Sequence, residues 1–193
     1  MDRCWRTLYF PALVMATDAT CYVFGGPTMY SEAMAKIFTA EENAAWARQL
    51  PGKMTSSCLA ILHDEKVVMV KARYKDHWTF PSGIVDDKES PKQTALRETF
   101  EETGLRISAH DCDLLGVVYT ASNGSDRDRF NFAFWVSVPS DNLKFAVPND
   151  EISEVNWVPF EKVATMSGGK GSYQKFQSIL LGENVRSSYV EIL

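Results

Sequence analysis

The sequence predicts a layered fold of the α/β (α+β) class, and three observations lead to it. Strand-like and helix-like segments follow one another as strands, helix, strands, helix, an order that favours a layered sheet over repeated βαβ units. The 193 residues suffice for one well-packed core with an appended segment. A hydrophobic content of 45% and a charged content of 23% are close to globular averages. We therefore expect a folded domain at residues 53–193, preceded by an N-terminal extension of strand and helix at residues 1–52.

The predicted extension contains a short apolar segment and one helix. Thr39 is followed three residues later by Glu42, the pattern of a capping box, and the helix that it opens runs through ENAAWARQL until the Pro-Gly pair at 51–52. Near the start, two arginines precede the apolar run LYFPALVMA, which leaves a secretory leader as an alternative. Pro11 interrupts this run, which is far shorter than the roughly 20 apolar residues that span a bilayer. We expect no membrane anchor.

Two pairs of strand-like runs are predicted to form hairpins. The sequence reads MTSSCLAIL and KVVMVKARY around the turn-like HDEK, and both runs are apolar and β-branched. It then reads LLGVVYTA and RFNFAFWVSV around SNGSD, whose Asn123-Gly124 pair is a strong signal for a tight turn. A further strand is expected at EVNWV and a closing helix at SYQKFQSILL.

Between the two hairpins, a helix is predicted from Pro91 to Thr103. Ser90 and Gln93 form a capping box around the proline at the first helical position, and Gly104 suits the left-handed position after the last turn. A packing stripe is predicted along this helix at Leu96, Thr99, Phe100 and Thr103.

Three carboxylates of the same helix are predicted to lie on one narrow arc. Glu98, Glu101 and Glu102 are spaced i, i+3 and i+4, which brings them together at about 100° per residue. Neighbouring like charges repel each other by a few tenths of a kcal/mol, so an offsetting cation is expected. Mg²⁺ and Mn²⁺ prefer carboxylate and water oxygens and often bridge proteins to phosphates. A solvated acidic face stabilised by Arg97 is the alternative.

A longer pattern around the helix favours the functional interpretation. The sequence matches G-x5-E-x7-R-E-U-x-E-E-x-G-U, where U is bulky and aliphatic, at Gly83, Glu89, Arg97, Glu98, Glu101, Glu102, Gly104 and Leu105. If each fixed residue type makes up about 7% of a sequence, seven chance matches have a probability on the order of 10⁻⁸ per starting position. The segment resembles the signature of the Nudix hydrolases. Two positions depart from that family: Thr99 replaces the usual aliphatic residue, and Ser82 stands where a second glycine is common.

The resemblance covers roughly residues 53–181 and implies an α/β/α sandwich around a mixed β-sheet. It implies hydrolysis of a nucleoside diphosphate linked to another moiety, with Mg²⁺ or Mn²⁺ as the cofactor. By the family's pattern, the metal ligands would be Glu98, Glu101 and Glu102, with Ser82 offering a backbone carbonyl. The acidic loop NDEISE matches a place where the family often supplies another glutamate, which makes Glu151 the candidate there and Glu154 a weaker one.

The resemblance also implies catalytic roles for four residues of the signature. Arg97 would orient a glutamate through an ion pair, and Glu89 would be either its partner or an outer ligand. Family members differ in which carboxylate is the general base, so Glu98 and Glu102 both remain candidates. The chemistry agrees, because metal ions clamp phosphate oxygens and acidify bound water while a carboxylate accepts the proton.

Substrate-binding residues are predicted from aromatic and polar side chains in or near the strands. Trp78 and Tyr119 are candidates to stack on a base, and Arg129 and Asn131 to reach a ligand, although core packing or a plain strand edge explains them as well. The stretch WTFPSG leads into the signature and resembles the W-x-x-P-G-G segment that is common at this place in nucleoside triphosphate pyrophosphatases of the family. A nucleoside triphosphate is therefore expected, with dinucleoside polyphosphates, ADP-ribose and nucleotide sugars as alternatives.

Charge and composition limit the partners. The net charge of -5 and the lack of a basic block disfavour binding to duplex nucleic acid. The four cysteines and three histidines are scattered without a zinc or redox motif, so we expect reduced thiols, no assigned histidine role and a cytoplasmic protein. For the oligomeric state, a homodimer is an alternative that the sequence leaves undecided. The alternatives are a non-catalytic nucleotide sensor and an isopentenyl diphosphate isomerase, which shares the fold; the complete signature argues against both.

Overall fold

The computed structural model describes residues 38–50, 52–122, 127–146, 150–183 and 189–192. The chain divides into two units, Met1–Pro51 and Gly52–Leu193. The described part of the first unit contains helix α1, Ala40–Ala47, and its predicted capping box between Thr39 and Glu42 is confirmed. The helix ends at Ala47, before the Pro-Gly pair, because the N–H groups of Gln49 and Leu50 bond to carbonyls three residues earlier, in tighter turns. The predicted strand and the apolar run of the extension lie outside the described residues.

The second unit is built around a mixed β-sheet with helices on both faces. Its strands are β1 (Met54–His63), β2 (Lys66–Ala72), β3 (Ser82–Ile84), β4 (Asp113–Thr120), β5 (Arg129–Ser137), β6 (Ile152–Pro159) and β7 (Tyr189–Ile192). Its α-helices are α2 (Pro91–Thr103), α3 (Val163–Met166) and α4 (Gly171–Leu180), with short 3₁₀ turns at Ala109–Asp111 and Phe160–Lys162. No helix of the described segments has the length and apolar character to cross a bilayer.

The strands follow the order β6-β2-β1-β5-β4-β7, and β3 pairs with β1 beside β2. The pairs β1–β5 and β4–β7 are parallel, and the remaining pairs are antiparallel. Both predicted hairpins are confirmed as antiparallel pairs. The tight turn between β1 and β2 places Asp64 at a positive φ of 49°, a conformation that aspartate tolerates better than most residues. The Asn123-Gly124 turn lies outside the described residues.

Both faces of the sheet are covered, which gives the predicted α/β/α sandwich. Side chains alternate along β1, so that Cys58 and Ala60 belong to one buried cluster and Leu59 and Ile61 to the other. The first cluster, completed by α3 and α4, includes Phe80, Val163 and Phe176. The second cluster is closed by α2 through Ala95. The strands are accordingly apolar on both sides rather than alternating with water-facing residues.

Helix α2 has the predicted bounds, with the capping box at Ser90 and Gly104 at φ 76°. The predicted packing stripe is wrong at Phe100, which is 39% exposed and lies under the guanidinium of Arg106 at 4.1 Å. The buried residues of this helix are Thr94, Ala95, Thr99, Glu102 and Thr103. Thr99, at the departing signature position, donates its hydroxyl to the carbonyl of Ala95 at 2.7 Å, so the buried oxygen has a partner.

Three elements were not predicted. The stretch that reads as a loop before α2 contains β3, whose three residues pair with Ser56, Ser57 and Cys58 of β1. Short helix α3 precedes α4, and the predicted closing helix, α4, does not end the fold because β7 follows it and pairs in parallel with β4. Such short segments become strands only through their neighbours in the sheet.

Candidate active site

Arg97 gathers three carboxylates of the signature. Its Nε and Nη2 donate to the two oxygens of Glu89 at 3.0 Å each. Its Nη1 donates to Glu98 at 2.7 Å and to Glu101 at 3.1 Å. Hydrogen bonds from Arg97 and then from Thr94 lower the pKa of Glu89 to about 2. Of the two predicted roles for Glu89, the geometry corresponds to the ion-pair partner of Arg97, held in the paired arrangement that a guanidinium forms best.

The backbone at Gly83 lies directly against the carboxylate of Glu98. A Cβ atom on residue 83 would lie 1.9 Å from Oε1 of Glu98 and 2.2 Å from its Cδ. Only glycine permits so close an approach. The pairing of Gly83 with Ser57 fixes this backbone on the sheet, so Glu98 is held between β3 and the guanidinium of Arg97. Burial raises the pKa of Glu98, and its bond to Arg97 opposes this rise.

Glu102 is the buried carboxylate of the group. The residue is only 4% exposed, and Oε2 of its side chain accepts a hydrogen bond from the backbone N–H of Ser82 at 2.9 Å. Burial raises the pKa of Glu102 to about 8, the Ser82 bond opposes the rise, and the charges of Glu98 and Glu151 add to it. Glu102 is therefore a carboxylate that the fold makes costly to ionise without a compensating cation.

Glu151 reaches the same region from another part of the chain. The register of β2 with β6 places Ile152 opposite Ala72, and the hydroxyl of Tyr74 donates to Oε1 of Glu151 at 2.6 Å. This hydrogen bond is the main cause that raises the pKa of Tyr74 to about 12, and the charges of Glu102 and Glu98 raise it further. The predicted loop glutamate thus lies within electrostatic range of α2. Glu154, by contrast, lies opposite Lys71 in the sheet.

The donor set is chemically suited to a hard divalent cation, although its members are spread. In the described parts of the chain, no three His, Cys, Asp or Glu side chains lie close enough to form a metal cluster. Glu98 and Glu101 share Nη1 of Arg97, whereas Glu102 turns towards Ser82. All are oxygen donors, as Mg²⁺ and Mn²⁺ prefer, and the Glu98 carboxylate occupies the space that a Cβ at Gly83 would fill. The residues therefore fit the predicted metal, and their roles as ligands stay predictions.

A cleft of about 510 Å³ opens beside this carboxylate group. Ser82 lies on its wall, so the same residue contacts Glu102 and faces the cleft. Of the predicted substrate-binding residues, Arg129 and Asn131 line it. Trp78 packs against the first buried cluster, and the ring of Tyr119 lies tilted against that of Phe130 at a centroid distance of 5.3 Å. Neither of these two aromatic side chains lines the cleft. Trp78 therefore corresponds to the alternative in which it packs in the core.

The floor of the cleft is fixed by the parallel pairing of β1 and β5. Asn131 lies opposite Ser56, and its Nδ2 donates to the Ser56 hydroxyl at 2.9 Å. The thiol of Cys58 donates to Oδ1 of Asn131 at 3.4 Å. Burial raises the pKa of the Cys58 thiol to about 12, which keeps it protonated as a donor. Sequence reasoning did not find Cys58, because its contact depends on two distant strands being adjacent.

Two further residues that line the cleft were not predicted from the sequence. Lys170 lines the cleft, and its Nζ lies 2.7 Å from Nε2 of His77, to which no role was assigned. The other ring nitrogen of His77 lies 2.6 Å from a carboxylate oxygen of Asp76. Tyr173, also on the cleft, accepts a hydrogen bond from the N–H of Phe80 at 2.9 Å. No local motif signals these contacts.

Comparisons with known proteins show the family to which the chain belongs. The model of the NUDIX domain family matches residues 53–176, well over half of the chain. A curated relative, the putative 8-oxo-dGTP diphosphatase 3 of Mycobacterium tuberculosis (strain H37Rv), is 34% identical over 105 residues, which cover 52% of this chain and 47% of the relative. The chain thus spans about half the length of that relative.

Solved structures show the same fold. The NUDIX domain of Shewanella oneidensis NrtR, complexed with ADP-ribose, has a TM-score of 0.58 at 19% identity and covers 74% of this chain and 99% of that one. A bifunctional NMN adenylyltransferase/ADP-ribose pyrophosphatase of Francisella tularensis, complexed with AMP and a Mn ion, has a TM-score of 0.53 at 15% identity, covering 74% of this chain and 45% of that one. With its signature, fold and family match in agreement, the chain belongs to the Nudix family.

Proposed function

We propose that this chain is a metal-dependent hydrolase that cleaves the pyrophosphate linkage of a nucleoside diphosphate joined to another moiety. A nucleoside triphosphate is the first substrate class to consider, and the relative named an 8-oxo-dGTP diphosphatase supports it. ADP-ribose is a second class, supported by the neighbouring NUDIX domain solved with that compound. Dinucleoside polyphosphates and nucleotide sugars are further alternatives.

One observation carries the proposal: Arg97 holds Glu89, Glu98 and Glu101 beside the glycine backbone that closes on Glu98. A solvated acidic helix face needs no such close approach to a neighbouring strand. The arrangement costs repulsion between carboxylates, and it is useful if these oxygens face a cation and a phosphate.

A Mg²⁺ or Mn²⁺ ion is the proposed cofactor, and the neighbour solved with a Mn ion supports this class of metal. The proposed ligands are Glu98, Glu101, Glu102, the backbone carbonyl of Ser82 and Glu151. When bound, the ion would supply Lewis acidity towards phosphate oxygens and lower the pKa of bound water.

Glu98 is the proposed general base. A base must be reached by the water from which it takes a proton, and the Glu98 side chain is 17% exposed, whereas Glu102 is 4% exposed. Arg97 and the backbone at Gly83 hold the Glu98 carboxylate in one position. Glu102 keeps its proposed role as a metal ligand, and its bond from the Ser82 N–H also positions β3.

The cleft is the proposed seat of one end of the substrate, either the nucleoside or the group attached to it. Arg129 and Asn131 are the predicted substrate residues on its wall, and a volume of about 510 Å³ is in the usual range for small-ligand sites. For Trp78 and Tyr119 we propose no direct contact in this conformation. Cys58 and Cys112 have free, buried thiols, and a reducing, cytoplasmic environment is proposed for the chain.

The test is a panel of nucleoside triphosphates, ADP-ribose, nucleotide sugars and dinucleoside polyphosphates, assayed with Mg²⁺, with Mn²⁺ and with chelator. We expect metal-dependent cleavage of one class, and a loss of at least about 100-fold in Glu98→Gln. Glu161→Gln is the matched control, because Glu161 is exposed on the 3₁₀ turn before α3, and it should retain wild-type turnover. No cleavage across the panel, with nucleotide binding intact, would reject hydrolysis in favour of the sensor.

A further inference from the structure

The cleft is lined by positively charged side chains, whereas the neighbouring face of α2 carries carboxylates. Lys170, Arg127 and Arg129 line it, and none of its described lining residues is an aspartate or glutamate. This is unusual in a chain with a net charge of -5. The basic wall and the acidic face of α2 meet at Ser82, which belongs to the cleft and binds Glu102. Two sites of opposite sign are therefore adjacent.

Lys170 is held in position rather than left to move in solvent. Its ammonium group lies 2.7 Å from Nε2 of His77, whose Nδ1 lies 2.6 Å from Oδ1 of Asp76. A protonated lysine can only donate, so Nε2 of His77 is the acceptor in this contact. His77 is mostly buried, with a side chain 15% exposed, whereas that of Asp76 is 98% exposed. The imidazole thus anchors the lysine at the cleft.

The cations of the cleft repel each other. Burial lowers the pKa of Lys170, and the positive charges of Lys75 and Arg129 lower it further, against the opposing effect of Asp76. Neighbouring like charges repel each other. An anion in the cleft would reduce this repulsion.

The start of helix α4 adds to this basic wall. Lys170 is the N-cap of α4, no side chain caps the helix, and Gly171 and Ser172 line the cleft. The first N–H groups of a helix have no partner within the helix and favour anions. The cleft therefore combines three cationic side chains with the uncapped start of a helix.

From these observations we infer that the cleft binds a phosphate monoester of the substrate, separate from the anhydride that lies against α2. Lys170 and Arg129 contact this phosphate, Arg127 lies at its side, and His77 is a positioning residue that holds Lys170. The substrate is then a nucleoside diphosphate derivative with an additional phosphate, either on the nucleoside ribose or on the attached group. This inference rests on the proposed function, since it assumes that an anhydride lies against α2.

Three compounds test the inference: ADP-ribose, ADP-ribose 2′-phosphate and ADP-ribose 1″-phosphate. They differ by one phosphate, which is on the nucleoside in the second compound and on the attached sugar in the third. Calorimetric titration in chelator and low salt measures binding by the full chain without turnover. We expect one phosphorylated compound to bind at least about tenfold more tightly than ADP-ribose, and its identity shows which end of the substrate enters the cleft.

Substitutions that remove one positive charge then show which residues cause the preference for the phosphorylated compound. Lys170→Gln and Arg127→Gln should each reduce the preference for the phosphorylated compound, with Lys170→Gln removing most of it. Lys66→Gln removes one positive charge from β2, where Lys66 pairs with Asp141 outside the cleft, and it should leave the preference intact. Equal binding of all three compounds, binding of none, or a preference that survives Lys170→Gln would overturn the inference.

His77 has its own test, because a merely structural residue would affect all compounds alike. His77→Leu should lower the preference for the phosphorylated compound about as much as Lys170→Gln while the affinity for ADP-ribose stays within twofold. His77→Gln keeps an acceptor for the lysine and should restore the preference. Failure of hydrolysis with this binding preference intact would reject the proposed function alone, and hydrolysis without the preference would reject the inference alone.

Discussion

Replacing Glu102 with glutamine should stabilise the metal-free protein at alkaline pH. Glu102 is 4% exposed, and burial is the main cause that raises its pKa from 4.5 to about 8. Glutamine has nearly the same size and keeps an oxygen that can accept the 2.9 Å hydrogen bond from the Ser82 N–H. The substitution therefore removes a buried negative charge without opening a cavity.

The stabilising effect should grow with pH. Below about pH 4.5 the carboxyl is protonated in both the folded and the unfolded chain, so the difference is small. Between pH 4.5 and about 8 the folded chain holds the proton more tightly, and the free energy of unfolding falls as pH rises through this interval. At 1.36 kcal/mol per pKa unit the full cost is about 5 kcal/mol. Rearrangement that admits water reduces it, so we expect a gain of about 2–4 kcal/mol at pH 9 and under about 1 kcal/mol at pH 5.

Urea unfolding in chelator at pH 5, 7 and 9 measures this effect for the wild type and for Glu102→Gln. Glu101→Gln is the matched control on the same helix, because the Glu101 side chain is 48% exposed and its removal relieves no buried charge. The control should not become more stable between pH 5 and pH 9. Addition of Mg²⁺ at pH 9 should stabilise the wild type through binding to the folded state and should stabilise Glu102→Gln less.

A gain that is the same at pH 5 and pH 9 would refute the reasoning, since it would mean that packing, not charge, separates the two side chains. A loss of stability at every pH would mean that the amide cannot replace the carboxylate as the acceptor for Ser82. In either case the buried carboxylate would not be a stability cost that the metal offsets.

Two further predictions concern the residues around this carboxylate group. Gly83→Ala should reduce turnover at least about 100-fold, because the new Cβ would lie 1.9 Å from Oε1 of Glu98 and must displace it; steady-state kinetics on the substrate found with the panel measures the loss. Thr99→Val should stabilise the protein by about 0.5–1 kcal/mol in urea unfolding at pH 7, because it removes a fully buried hydroxyl whose acceptor is a helix carbonyl that keeps its backbone partner.

Matched variants separate these effects from general disturbance. Gly52→Ala brings its Cβ no closer than 3.4 Å to Arg127, and it should keep full turnover; a Gly83→Ala enzyme that is equally active would contradict the close contact with Glu98. Thr94→Val is the control for the hydroxyl, because Thr94 donates to the Glu89 carboxylate at 2.6 Å, and it should destabilise by about 1–2 kcal/mol. If Thr99→Val destabilises as much, its hydroxyl is required.

The parts of the fold set by local chemistry were predictable from the sequence. Helix α2 begins and ends where predicted, because Ser90, the following proline and Gly104 act within a few residues of the helix ends. The β1–β2 hairpin was predictable for the same reason, since its strands are joined by a turn of two residues. Both elements depend on neighbours in the chain.

The separation of the three carboxylates was harder to predict. Helical spacing places Glu98, Glu101 and Glu102 on one side, yet Glu101 and Glu102 still differ by about 100° around the axis. In the structure Glu101 turns to Arg97 at the surface and Glu102 turns to Ser82 inside. Whether Glu101 or Glu102 is buried depends on where β3 lies. Strand β3 pairs with β1, and the paired residues are about 25 positions apart in the sequence. The basic wall of the cleft likewise depends on α4 and is not visible in any local pattern.

The parallel pairing of β1 with β5 has a consequence for folding kinetics. Every partner in this pair is 75 residues away, as for Ser57 and Phe132, so the centre of the sheet has a high contact order and closes a long loop before it gains contacts. We therefore expect α2 and the β1–β2 hairpin to form before the central pair, and refolding to be slower than in a helical protein of this size. Asn131 meets Ser56 and Cys58 only through this pair, so the ability to bind a nucleotide should return with the last phase of folding.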